Sequence, residues 1–167
     1  MNNVILIGMP GSGKSTVGVL LAKLIGYQFI DSDLLMQNEA GKRLYEVIRD
    51  DGADAFCELE NKVNASLNAN ETVIATGGSV VYCEEAMKHL SEIGTVVFLD
   101  VPEKEIEKRI GDFSKRGVLI KNGESFDDLY RERMPLYRKY ADVTVTCTEN
   151  DLVKNAEKIM AALRIEN

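Results

Sequence analysis

The sequence predicts an α/β fold in which helices cover both faces of a parallel sheet. Short apolar runs alternate along the chain with longer stretches whose apolar residues recur at helical spacing. Strands that alternate with helices form parallel sheets, because each crossover lays a helix on one face of the sheet. The length of 167 residues suits one domain, and 45% hydrophobic residues are enough to build a sizeable core.

The chain opens with a strand, a turn and a helix. Residues 4–7, Val-Ile-Leu-Ile, form an apolar run that ends at Gly8, which is typical of a strand buried on both faces. A glycine-rich turn follows. The apolar residues between positions 17 and 24 then recur at helical spacing until Gly26, which provides a stop signal.

The remaining strands and helices alternate to the end of the chain. Further strands are predicted over residues 28–30, 72–75, 95–99 and 143–146. Helices are predicted, with breaks at Gly41 and Gly52, over residues 34–39, 43–49, 53–67, 84–93, 102–110 and 151–165. Another helix follows a serine cap at position 125, and Pro135 should kink or interrupt it. No repeat or linker indicates a second domain, so we expect one domain over residues 1–167.

The acidic charge balance argues against two classes of partner. A net charge of −7 and a pI near 4.9 do not suit a nucleic-acid or anionic-membrane binder, because neutralising phosphates needs a basic face. No apolar run approaches the roughly 18 residues of a membrane span, and the first residues lack the basic region of a signal peptide. We expect a cytoplasmic monomer that acts on a small molecule and binds neither nucleic acid nor membrane.

One motif predicts nucleotide binding. Residues 8–15, Gly-Met-Pro-Gly-Ser-Gly-Lys-Ser, match G-x-x-x-x-G-K-[ST] between a predicted strand and a predicted helix. Backbone N–H groups of such a loop surround phosphate oxygens, and the helix points its positive end at them. Lys14 would neutralise the β and γ phosphates, and Ser15 would place its hydroxyl on magnesium. The candidate nucleotide-binding residues are Gly11, Ser12, Gly13, Lys14, Ser15 and Thr16.

Two predicted strand ends offer a carboxylate for magnesium. Asp31 and Asp100 each follow an apolar run, and periodicity alone does not choose between them. The D-x-D pair of Asp31 and Asp33 favours the first, because ligands bind beyond the carboxyl ends of strands in open α/β sheets. Asp31 could hold magnesium through water while Asp33 accepts a proton from a substrate hydroxyl. Either residue could instead be a helix cap.

The ordered set of motifs resembles shikimate kinases, which are P-loop proteins of the nucleoside monophosphate kinase type. The resemblance rests on residues 8–15, 29–33, 55–60, 75–80 and 133–137. It implies a three-layer P-loop kinase fold with a five-stranded parallel sheet, a substrate-binding region near residues 33–60 and a lid near residues 111–123. It also implies that ATP and Mg²⁺ are used to convert shikimate to shikimate 3-phosphate.

The resemblance assigns roles on the acceptor side. It implies that Asp33 binds substrate hydroxyls and acts as the base, and that Arg133 contacts the substrate carboxylate. Gly77 and Gly78 would let the backbone approach the substrate, with Ser79 beside them.

On the nucleotide side, the resemblance implies that Lys14 and Ser15 hold phosphates and magnesium, with Asp31 in the outer shell of the metal. Arg116 corresponds to a lid arginine that reaches the phosphate during transfer, and Arg109 to an arginine that lies against adenine.

Three positions depart from the family pattern. Cys57 occupies the position of an arginine that joins Arg133 in gripping the substrate carboxylate, and a thiol cannot replace a guanidinium. Ser79 replaces the third glycine of a triplet, and Gly117 replaces a proline that follows the lid arginine.

These departures leave three functional hypotheses open. Shikimate remains the acceptor if a nearby basic residue supplies the missing cation, the candidates being Arg49, Arg131 and Arg138. The acceptor could instead be another small hydroxylated acid or sugar. A third hypothesis, a catalytically inactive nucleotide-binding regulator, is disfavoured because Lys14, Ser15 and Asp33 are all present.

Overall fold

The computed structural model describes residues 3–110, 118–120, 123–148 and 151–165. Five parallel strands form one sheet in the spatial order β2-β3-β1-β4-β5. The strands are β1 (Asn3–Ile7), β2 (Gln28–Asp31), β3 (Thr72–Ala75), β4 (Thr95–Asp100) and β5 (Val143–Thr146). The predicted α/β fold with a five-stranded parallel sheet is therefore confirmed.

Seven helices connect and cover the strands. They are α1 (Lys14–Ile25), α2 (Ser32–Ala40), α3 (Leu44–Ala65), α4 (Glu84–Ile93), α5 (Glu103–Ile110), α6 (Phe126–Tyr140) and α7 (Leu152–Ala162), counted over the described ranges. The chain moves in one direction along the sheet from β1 to β2 and in the opposite direction from β3 to β4. Right-handed crossovers then place α1 and α4 on opposite faces of the sheet. Helix α7 packs against α1, and α3 packs against α4.

The middle of the sheet is the centre of the core. Every residue of β1 is buried, because β3 and β4 flank it and helices cover both faces. The register pairs Leu6 of β1 with Ala75 of β3, and Ala75 with Asp31 of β2. The segments that follow these three strands therefore leave the sheet at one edge and face one another.

Two predicted helix features differ from the structure. The segments predicted over residues 43–49 and 53–67 are joined in α3, and the break between them survives as a kink at Gly52, whose φ of 90° is not helical. Helix α6 runs through Pro135 without interruption. Proline removes only one backbone donor, and the buried Met134 and Tyr137 on either side hold this part of α6 in the core. The predicted interruption at Pro135 was therefore wrong.

Most of the predicted lid over residues 111–123, including Arg116, lies outside the described residues. Among the helices that the structure describes, none combines the length and the apolar character needed to cross a bilayer.

Candidate active site

A cleft of about 300 Å³ opens at the carboxyl edge of β1, β2 and β3. It brings most of the predicted site together, because its walls include Gly11, Gly13, Lys14, Ser15, Thr16, Asp33, Gly77, Gly78, Ser79 and Arg133. Ser12 is buried within the same loop. The nucleotide-binding and acceptor-binding candidates thus share one cavity.

The loop between β1 and α1 has the backbone geometry of a phosphate cradle. Gly8, Gly11 and Gly13 all have positive φ, at 148°, 79° and 92°. Gly13 caps α1, so the free N–H groups at the start of that helix face the cleft. Such an array of donors at a helix N-terminus binds anions.

Lys14 is held at the mouth of this loop. Its Nζ donates to the carbonyl oxygens of Gly8 at 2.8 Å and Met9 at 2.9 Å. Burial lowers the pKa of the Lys14 ammonium to about 8, and the negative charge of Asp33 partly opposes this effect. A phosphate in the cleft would favour the charged form of Lys14.

Ser15 and Asp31 offer two oxygens to a hard cation. The Ser15 hydroxyl donates to Asp31 Oδ2 at 2.7 Å, and Asp31 Oδ1 accepts from the backbone N–H of Asp33 at 3.0 Å. Asp31 is therefore the N-cap of α2 as well as a neighbour of the P-loop. Asp100, the other candidate, ends β4 and does not line the cleft.

Asp33 lies in the cleft on the first turn of α2. Burial raises the pKa of its carboxyl to about 6, the negative charge of Asp31 adds to the rise, and Lys14 opposes it. An acid whose pKa lies this close to neutrality can both accept and release a proton under ordinary conditions.

The turn after β3 requires glycine at two positions. A side chain at residue 77 would collide with the carboxylates of Glu60 and Asp33. A Cβ at residue 78 would lie 2.7 Å from Pro10 Cδ and 3.2 Å from Arg133 Nη1. The backbone therefore reaches the cavity between charged groups where a larger residue would not fit.

A buried tyrosine holds the carbonyl oxygen of Gly78 in place. This oxygen accepts a 2.6 Å hydrogen bond from the Tyr137 hydroxyl, and the Tyr137 ring stacks on Phe98 of β4 with centroids 5.2 Å apart.

Arg133 is a buried cation that lines the cleft. Only 1% of the residue is exposed, its Nη2 donates to the Leu119 carbonyl at 2.7 Å, and its guanidinium lies 5.5 Å from the Tyr82 ring centre. Its Nε has no hydrogen-bond partner among the described residues. A buried guanidinium that lines a cleft suits an anionic ligand, above all a carboxylate.

Glu60 belongs to the site, although no sequence motif indicates a role for it. It is fully buried on α3, and its Oε2 accepts a 2.5 Å hydrogen bond from the Ser79 hydroxyl. Burial raises the pKa of the Glu60 carboxyl to about 7, while the Ser79 bond opposes the rise. One signal was available in the sequence: Phe56, Glu60 and Val63 share one face of α3, so an acid interrupts an otherwise apolar stripe.

The arginines considered as substitutes for the missing cation lie elsewhere. Arg49 pairs with Asp50 at 2.6 Å, and Arg131 pairs with Asp127 at 3.0 Å, with most of each arginine side chain exposed. Arg138 is also exposed. None of the three lines the cleft, so the structure does not support the hypothesis that one of them replaces an arginine at position 57.

Arg109 lies near the P-loop but does not line the cleft. It occupies the last turn of α5, next to Ile110, whose side chain packs against Gly11 of the P-loop. Its predicted contact with adenine stays a prediction.

Comparisons with known proteins identify one family. A family model described as shikimate kinase matches residues 10–164. A shikimate kinase of Persephonella marina is 32% identical over 165 residues, which cover 98% of this chain and all of that protein.

Solved structures give the same result. A shikimate kinase from Acinetobacter baumannii in complex with shikimate superimposes with a TM-score of 0.89 at 29% identity, covering 98% of this chain and 93% of that one. A shikimate kinase from Aquifex aeolicus superimposes with a TM-score of 0.83 at 32% identity, covering 97% of this chain and 96% of that one. Because the family model spans nearly the whole sequence, the chain belongs to the shikimate kinase family.

Proposed function

We propose that this protein transfers the γ-phosphoryl group of ATP to a ring hydroxyl of shikimate, producing ADP and shikimate 3-phosphate. Membership of the shikimate kinase family supports an ATP-dependent kinase that acts on a hydroxyl group. The observation that carries the choice of acceptor is Arg133, a buried guanidinium that lines the same cavity as the P-loop.

The P-loop holds the nucleotide in this proposal. Backbone N–H groups from Gly11 to Thr16 surround the phosphates, with Ser12 and Gly13 shaping the loop. Lys14 adds a cation that stabilises the charge spread over the transferred oxygens. Arg109 would contact adenine and Arg116 would reach the phosphates, although Arg116 lies outside the described residues.

Ser15 and Asp31 fit a magnesium ion. Their oxygens are 2.7 Å apart at the phosphate end of the cleft, and Mg²⁺ prefers such hard ligands together with phosphate and water. When bound, Mg²⁺ neutralises developing phosphate charge. The Ser15 hydroxyl would turn from Asp31 toward the ion, with Asp31 in the outer shell.

Asp33 and Arg133 orient the acceptor. Arg133 binds the shikimate carboxylate, which places the ring against the Gly77–Gly78 backbone and Ser79. Asp33 accepts the proton of the attacking hydroxyl while that oxygen bonds to the γ-phosphorus and the bond from phosphorus to the bridging oxygen of ADP breaks.

Steady-state ADP release tests this function directly. We expect turnover that depends on shikimate, with gluconate and other hydroxylated acids as comparison acceptors, and with no stimulated turnover in Lys14→Ala. Stimulation by another acceptor alone would overturn the choice of shikimate and retain a kinase. No stimulation by any acceptor despite ATP binding would favour the regulator hypothesis.

We also propose that the active form is a cytoplasmic monomer. The P-loop, Asp33 and Arg133 line one cavity of a single chain, so the proposed reaction needs no residue from a second copy. Light scattering during active turnover would test the oligomeric state.

A further inference from the structure

A buried acid lies directly behind the acceptor half of the cleft. Glu60 is fully buried, its Oε2 has the single bond from Ser79, and its Oε1 has no hydrogen-bond partner within the described part of the chain. Glu60 also forms no ion pair with a described residue. Its carboxylate occupies the space that a side chain at Gly77 would need, so Glu60 lies against the Gly77 backbone, and Gly77 lines the cavity.

The charges around Glu60 come from several elements that meet at this point. They are Lys14 of α1, Asp33 of α2 and Arg133 of α6, together with the hydroxyl of Tyr137 on α6 and the thiols of Cys57 on α3 and Cys83 before α4. Two cations thus face two acids at this point. The charge of a buried guanidinium is offset in part by acids that lie near it.

We propose, building on the function proposed above, that ionised Glu60 offsets part of the charge of Arg133 in the acceptor-free enzyme and that Glu60 takes up a proton from solvent when the acceptor carboxylate binds Arg133. The arriving carboxylate neutralises Arg133 and adds negative charge beside Glu60, which disfavours the ionised form of Glu60. Burial has already brought the pKa of Glu60 to about 7, so a further rise carries it across neutral pH.

Ser79 lowers the pKa of Glu60 in the enzyme without acceptor. Its hydroxyl donates to Glu60 and therefore favours the ionised acid. Glu60 is thus a specificity-determining residue, because the site retains an anionic acceptor best when Glu60 can become neutral. Acceptor affinity should accordingly weaken as pH rises above neutrality.

Isothermal titration of shikimate into the whole protein at pH 7 tests the inference. Titrations in PIPES and in Tris, whose ionisation enthalpies differ, give the number of protons exchanged. We expect uptake of about half a proton per shikimate in the wild type, since a group with pKa near 7 is half protonated before binding. Glu60→Gln should abolish the uptake. The matched control Glu58→Gln, on the exposed face of α3, should leave it unchanged.

Two further variants distinguish the role of Glu60 from the roles of Asp33 and Ser79. Asp33→Asn should retain the uptake while abolishing turnover. In Ser79→Ala, a carbon-13 NMR titration of the Glu60 carboxyl without acceptor should give a higher midpoint than in the wild type, and this reading does not depend on catalysis.

The outcomes distinguish this inference from the proposed function. Shikimate binding without proton uptake, uptake that persists in Glu60→Gln, or an unchanged midpoint in Ser79→Ala would overturn the role of Glu60 and leave the kinase assignment intact. Absence of both shikimate binding and shikimate-dependent ADP release would overturn the proposed function, and the inference would fall with it.

Discussion

Asp33 and Glu60 both place a carboxylate oxygen where a side chain of residue 77 would have to lie. They come from different helices, and glycine at position 77 allows them to approach the same point of the backbone. Burial raises the pKa of both carboxyls, to about 6 for Asp33 and about 7 for Glu60, and the negative charge of Asp33 adds to the rise at Glu60. The two acids therefore titrate in the range where the enzyme would work.

Asp33→Asn should lower kcat by at least about a hundredfold, because an amide cannot accept the proton of the acceptor hydroxyl. The KM for ATP should change little, since the P-loop is untouched. In the wild type, kcat/KM for the acceptor should fall as pH drops through about 6, where Asp33 becomes protonated. Steady-state kinetics from pH 5 to 8 would measure both effects, and full activity of the variant would rule out Asp33 as the base.

The same buried acids should make folding stability fall as pH rises. An acid whose pKa is higher in the native state than in the unfolded state binds more protons in the native state at any pH between these two pKa values. The free energy of unfolding therefore declines as pH rises across that interval. For Glu60 the interval runs from the ordinary value of 4.5 to about 7. Glu60→Gln should therefore raise the free energy of unfolding at pH 8 by on the order of 1–3 kcal/mol and change it little at pH 4.

Urea unfolding at the two pH values would measure this difference. Glu58→Gln is the matched control, because the same chemical change on the exposed face of α3 removes no buried charge. An equal gain for both variants would contradict the assignment of the effect to burial.

ATP binding should weaken as pH rises through about 8. The Lys14 ammonium loses its proton over this range, and the phosphates bind its charged form better. Lys14→Ala should weaken binding by roughly ten- to a hundredfold at pH 7 and flatten the pH dependence. Calorimetric titration of ATP from pH 7 to 9 would measure both, with Lys23→Ala, an exposed lysine on the same helix, as control. A pH dependence that survives in Lys14→Ala would assign it to another group.

A cation at position 57 should strengthen acceptor binding. Cys57 is half-buried one turn before Glu60, and the charges of Glu60 and Arg133 both act on its thiol. Cys57→Arg should lower the KM for shikimate by about tenfold, the lower end of what one charge-assisted hydrogen bond contributes. Cys57→Ala controls for loss of the thiol. A KM that rises or stays constant in Cys57→Arg would indicate that this enzyme holds the carboxylate without a second cation.

The elements of the fold followed from local patterns. The central strands contain short apolar runs, and β5 alternates valine with threonine. The P-loop lies where a strand and an amphipathic helix flank it, so periodicity and glycine punctuation predicted both. The 3-10 helix over Val80–Tyr82 was missed, since a single turn is too short to show a period. Continuity of α6 through Pro135 was missed because packing, which a local rule does not include, holds that helix together.

The site was predicted in part. Lys14, Ser15, Asp31, Asp33 and Arg133 carry chemistry that motifs and family resemblance indicate, and the structure brings them to one edge of the sheet. The burial of Glu60 depends on contacts between α3 and the turn after β3, which are distant in sequence. Whether Arg49 or Arg131 reaches the cleft likewise depends on tertiary geometry, and in the structure both lie outside it and pair with acids near them in the sequence.

The bond from Tyr137 to the Gly78 carbonyl has a consequence for protein engineering. Phe98 pairs in register with Ile7 at the centre of the sheet, and the ring stack of Phe98 on Tyr137 connects that centre to the turn that contacts the acceptor. The position of the turn therefore depends on packing in the hydrophobic core. Substitutions around Phe98 that are meant to raise heat tolerance would also alter acceptor recognition. A library at that position therefore needs to be screened with substrate present.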